Sequence, residues 1–192
     1  MQSRSSLSLA LFLLALSSSH RLLAQFQEPT QDELKMTADP KAPGAAAVYL
    51  NVEEVTDDSL HYRTVYTRIK VLTEKGKDLA TVETPYLIGD SKITDIKART
   101  IHSDGTIIPL QGKAEDLLVA KSGEPRVSQR VINLPSVEVG SILECRYQLQ
   151  YDDHLYSSPF WEIQRPYFVH KAHYSFTPFK GFLTGSQSIT PY

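Results

Sequence analysis

Residues 92–110, KITDIKARTIHSDGTIIPL, decide the fold class. Successive side chains of an extended chain point to opposite sides, so Thr94, Ile96, Ala98 and Thr100 are expected on one face. Asp104-Gly105 follows between two β-rich runs. Glycine accepts the positive φ of a tight turn without steric cost, so this dipeptide marks a hairpin. Ile107-Ile108-Pro109-Leu110 is the returning strand. Pro109 has no N–H for a ladder bond, which puts it at a strand end or a sheet edge.

The same period extends in both directions. VYLNVEEV (48–55) and LHYRTVYTRIKVL (60–72) flank the turn-like Asp57-Asp58-Ser59 and read as a second hairpin. In the second run Val65, Thr67, Ile69 and Val71 share a face, while Tyr66, Arg68 and Lys70 share the other. Glu74-Lys75-Gly76-Lys77 is a polar break. Further on, RVSQRVINL (126–134) and SILECRYQLQY (141–151) are strand-like. Leu143, Cys145, Tyr147, Leu149 and Tyr151 form a core face of the latter, opposite Ile142, Glu144 and Arg146. PFWEIQ (159–164) and YFVHKAHYSFTPF (167–179) are aromatic and β-branched, as strands are. Short strands with turn signals every ten residues or so predict an all-β fold, an antiparallel β-sandwich.

The N-terminus has a separate purpose. Arg4, an apolar run from Leu7 to Leu16, three serines and Ala24 before Gln25 form the pattern of a cleavable signal peptide over residues 1–24. That run is too short to span a bilayer, which takes about 20 residues. Cleavage leaves 168 of the 192 residues, and loss of Arg4 and Arg21 takes the formal charge from −2 to −4. A mildly acidic domain lacks the electrostatic footprint of a nucleic-acid binder. No later stretch suits a membrane span, so the expected location is periplasmic or secreted. Residues 25–47 are a lead-in. Thr30 and Glu33 fit a capping box, which suggests one short helix, with a linker as the alternative. The β-sandwich domain is expected over 48–180. Residues 181–192 look like the start of a further, truncated segment.

Few residues suggest chemistry. Cys145 is the sole cysteine, and a place in the middle of an alternating strand suits a packed thiol better than a nucleophile. His170 and His173 are three apart, which on a strand places them on opposite faces. Glu53, Glu54, Asp57 and Asp58 could offer oxygens to Ca²⁺ but lack the spacing of a calcium loop, and a solvated hairpin tip is the simpler reading. Asp152-Asp153-His154 reads as a polar turn. No phosphate-binding glycine loop, nucleophile elbow or HExxH occurs. The expectation is therefore no catalytic residue, no metal and no cofactor. Tyr and Trp join large area to a polar tip. Among the aromatics, Tyr151, Tyr156, Trp161 and Tyr167 are the candidates for a ligand or interdomain surface, against the alternative of sandwich core.

Four segments then add a resemblance: RIKVLTEKGKDLATVETPY (68–86), ITDIKARTIHSDGTIIPL (93–110), LPSVEVGSILECRYQLQYDD (134–153) and SSPFWEIQRPYFVHKAHYSF (157–176). In this order they resemble a bacterial domain-of-unknown-function family found N-terminal to transglutaminase-like domains in exported proteins. The resemblance implies a β-sandwich without established activity. It also implies a downstream partner domain bearing a Cys-His-Asp triad, in which a thiolate attacks an amide carbonyl. This chain shows no such triad, so no catalytic residue carries over. The expected function is a non-catalytic accessory module for that domain. The alternative is a stand-alone periplasmic β-sandwich that binds a glycan or a peptide.

Overall fold

The computed structural model describes residues 26–118, 126–155 and 161–179. The expected signal peptide and the segment 181–192 lie outside the described residues. A short helix, α1 (Gln31–Lys35), precedes nine described strands: β1 (Ala47–Asp57), β2 (Tyr62–Val71), β3 (Thr81–Leu87), β4 (Ser91–Ile101), β5 (Ile107–Pro109), β6 (Glu115–Leu118), β7 (Val127–Asn133), β8 (Ile142–Tyr151) and β9 (Ala172–Thr177). They form a six-stranded sheet, β5-β4-β8-β2-β1-β9, and a three-stranded one, β3-β7-β6. The pairs are antiparallel except β1 with β9, which run parallel. That exception arises because the chain crosses from β8 through residues 161–171, joined to Tyr49 on the way by a bridge at Val169.

Both predicted hairpins are present. β4 and β5 turn through Asp104-Gly105, with Gly105 at φ 89° and the His102 N–H donating to the Thr106 carbonyl at 2.9 Å. Pro109 ends β5 on the sheet edge. One facing differs from the expectation. The register of β4 on β8 slips between Thr94 and Lys97, around Asp95 at φ 47°. A bulge of this kind inverts the alternation. Ile93 therefore joins Ala98 in facing the core, and Thr94 faces away. The polar break after β2 is also more than a turn, because residues Glu74–Ala80 wind into a 3-10 helix. Residues 161–163, read as strand-like, are irregular.

The core lies between the sheets. Tyr49, Ile69, Val71, Ala98, Leu143 and Cys145 from the larger sheet meet Ile132 and Leu134 beside the smaller one. The opposite face of the larger sheet is covered too. Alternation puts Tyr66, Arg68 and Lys70 on the face away from that core, and Arg68 and Lys70 are buried there. The lead-in covers them. Thr30 and Glu33 close the capping box in both directions, worth about 1 kcal/mol to a helix this short. That fixes Leu34 against Ile101 and Ile142. The Glu33 carboxylate then accepts from Arg68 at 2.8 Å, and the Gln27 carbonyl accepts from Arg68 at 2.8 Å and Arg99 at 3.0 Å. Lys70 donates to the carbonyls of Leu34 and Gly140, and burial pushes its ammonium down to about 8. A buried charge must find partners, and the lead-in supplies several of them. Asp39 anchors the lead-in further along. Burial alone would raise its carboxyl, but the Lys41 backbone N–H and His170 outweigh that and lower it.

Candidate functional site

The smaller sheet leaves the inner face of β1 and β2 partly uncovered. A cleft of about 500 Å³ opens there, within the size range of ligand sites. Its floor carries Tyr49, Val65, Ile69 and Tyr147, and one wall is β3 from Thr81 to Pro85. The local pattern explains why β3 ends the sheet. Pro85 lacks a ladder donor, and proline within a sheet belongs on an edge strand.

A charged group sits in this cleft. Glu54 is 2% exposed and accepts from two arginines, Arg63 and Arg165, the latter at 2.7 Å. The Arg165 guanidinium also lies 5.3 Å from the centre of the Tyr49 ring, in cation–π range. Burial works against the Arg165 charge, but Tyr174 and Glu54 outweigh it and raise its pKa. Two guanidinium groups therefore share one carboxylate. The Nε atoms of both arginines are buried and have no partner among the described residues. Burial also pushes the Tyr147 phenol up, so it is a neutral hydroxyl at physiological pH. The arrangement can hold an anionic or hydrogen-bonding group. Among the described residues, no group of three or more His, Cys, Asp or Glu side chains is gathered for a metal ion.

This geometry corrects the reading of the acidic cluster as a solvated hairpin tip. Glu54 and Asp58 are buried. A bulge between Tyr49 and Asn51 resets β1 and turns Val52 and Glu54 inward, where two arginines compensate the charge. Asp58 accepts from the Tyr151 hydroxyl. The described aromatic candidates make their ring contacts with other residues. Tyr151 is buried, with His61 edge-on to its ring. Trp161 is half-buried against Tyr174 at 5.8 Å, and its indole Nε1 has no partner among the described residues. Tyr167 is half-buried and packs on the core margin. Tyr156 lies outside the described residues. The cleft residues Glu54, Arg63 and Arg165 were missed as a group. Their only sequence signal is a pair of basic residues far apart in the chain.

Cys145 lies in the core opposite Thr67 and Ala98, and burial pushes its thiol up to about 12. A thiolate nucleophile does not form at neutral pH under that shift. The native chain should resist a thiol-exchange chromogen at pH 8 and release one equivalent once unfolded in urea. Rapid reaction of the native chain would contradict the packing. Because the folded pKa is raised, this group's contribution to stability is complete below the unfolded value of 9.0 and lost as pH rises through about 12.

A two-layer β module with a charged inter-sheet cleft, and without an assembled nucleophile among its described residues, is the class that fold and site define. A family model described as a domain of unknown function with a solved structure, DUF3857, matches residues 57–178, and the chain belongs to that family. Among solved structures it resembles a candidate protease of Parabacteroides distasonis, at 14% identity and a TM-score of 0.51 over 56% of this chain. At that identity the likeness is one of fold. The chain covers 23% of that protein's length. Comparison with curated proteins finds no match.

Proposed function

We propose that this chain is an exported, non-catalytic accessory module that works with a transglutaminase-like domain of the cysteine protease or amidase type. The observation that carries this reading is the family membership of residues 57–178. The fold likeness to a candidate protease, most of which lies outside the shared region, supports it. Export rests on the leader pattern of residues 1–24. The segment with Trp161, Ile163, Tyr167 and Phe168 is the proposed contact with the partner domain, since Ile163 and Phe168 are exposed apolar side chains. The test has two parts. A transglutaminase-like domain should be encoded in or beside this reading frame in the source genome, and the two proteins should sediment together. Absence of such a coding region, or failure of the two proteins to associate, overturns the reading.

A second reading is a peptide-binding sandwich, favoured by the cleft beside β3. An open strand edge is a known template for an added strand.

A further inference from the structure

We propose that the cleft between β3 and the inner face of β1 and β2 takes an extended acidic peptide, added as a strand to the β3 edge with its carboxylate on the Arg63 side. The proposal deepens the peptide-binding reading and rests on it.

The edge can be read from the ladder. Among the described residues, β3 pairs with β7 on one side only. At the two ends of the pairing, the Leu134 N–H donates to the Ala80 carbonyl at 2.8 Å and the Ile88 N–H to the Arg126 carbonyl at 2.9 Å. Bonded pairs alternate along an antiparallel ladder, so Val82, Thr84 and Tyr86 are the β3 residues that face β7. The N–H and C=O groups of Thr81 and Glu83 and the C=O of Pro85 therefore point to the free edge. These residues line the cleft. The edge offers two donors and three acceptors, and the missing donor is at proline. Such a pattern accepts a short strand in one register and discourages extended pairing.

Charge selects the occupant. Glu54 compensates only one of the two guanidinium groups it touches, which leaves one positive charge unbalanced within that buried cluster. Arg165 is the more enclosed. The Arg63 side chain keeps 27% of its surface exposed, so it is the group an incoming carboxylate can reach. A guanidinium binds a carboxylate through charge-assisted hydrogen bonds. Glu83 and Glu162 also line the cleft but are exposed, where water screens their repulsion. The apolar floor of Val65, Ile69 and Tyr147 suits the alternate, inward side chains of a strand.

The test uses a blocked, fluorescein-labelled heptapeptide of alternating threonine and valine with a central glutamate. Its glutamine analogue and a backbone N-methylated analogue serve as controls, and binding to the full chain is read by fluorescence anisotropy. The glutamate peptide should bind saturably, and each control should bind about tenfold more weakly. Glu83→Pro removes one edge donor and leaves the β7 ladder intact, and it should weaken binding about tenfold with an unchanged unfolding midpoint. If that variant fails to fold, the N-methylated peptide on the native chain still tests the edge. Binding that ignores both the carboxylate and N-methylation overturns the proposal and leaves the peptide-binding reading standing. No saturable binding of any of the three peptides overturns both.

Discussion

Glu144→Gln should lower the free energy of unfolding by about 3–5 kcal/mol, the cost of breaking a buried ion pair from one side. Glu144 is completely buried on the outer face of the six-stranded sheet. Its carboxylate accepts from the Tyr66 hydroxyl at 2.5 Å, Arg68 at 3.1 Å and Arg99 at 2.5 Å. Burial and the Glu144 charge both push the Tyr66 phenol far up, which keeps it a donor. Glutamine keeps the shape but not the charge. Arg68 retains Glu33 as a counterion, while Arg99 loses its carboxylate and keeps, among the described residues, the Gln27 carbonyl and the face of Phe26 at 4.9 Å. Urea unfolding measures the loss. The lead-in should loosen at the same time, because both arginines hold the Gln27 carbonyl, and trypsin should then cut after Lys35 sooner than in the native chain. Replacing Glu144, Arg68 and Arg99 together by apolar residues should cost less than Glu144→Gln alone, because the three mutually paired charges leave together and Glu33, which loses Arg68, is partly open to water. A loss below about 1 kcal/mol would mean that water reaches the layer and that the pairs act as exposed ones do.

The same layer shows where sequence reading reaches and where it stops. The β4–β5 turn was legible because Asp104-Gly105 solves a backbone problem that few other dipeptides solve. The Cys145 face of β8 was legible because its apolar residues recur with period two. Glu144, Arg68 and Lys70 obey that period too, on the other face, and polar residues there look the same whether water or another segment covers them. Only the distant capping box of α1, which carries Glu33 over Arg68, tells the two apart. Glu54 failed for another reason. Local periodicity presumes an unbroken phase, and the bulge after Tyr49 shifts it. The candidate cleft depends on that shift and on Arg63 and Arg165, which are brought together only by the long return of the chain after β8. Pairwise spacing carries no sign of such a meeting.

Gly76→Ala should destabilise the fold by about 3 kcal/mol or more, at the upper end of what overpacking costs. The reason is space rather than φ. A Cβ at Gly76 would stand 2.2 Å from the Ala46 carbonyl oxygen and 3.0 Å from its carbon, with Val71 Cγ1 at 3.3 Å. Real Cβ atoms do not approach backbone so closely, so the backbone on one side must move. The Ala46 carbonyl cannot swing away freely, because it accepts from the N–H groups of both Leu72 and Thr73, at 2.9 and 3.1 Å. Gly76 is tied in turn by its N–H to the Thr73 carbonyl at 2.9 Å. Relief therefore breaks the connection between the start of β1 and the 3-10 helix that leads into β3. A helix-propensity argument predicts the opposite sign, since alanine is normally the better helix former by about 1 kcal/mol. The two accounts are separated by one thermal or urea unfolding curve. A lower midpoint places the close approach of Gly76 to Ala46 in control, and an unchanged or higher one removes it. Any weakening here should also reach the cleft, because Leu79 and Thr81 line it immediately after this turn, so peptide binding at the β3 edge should fall along with stability.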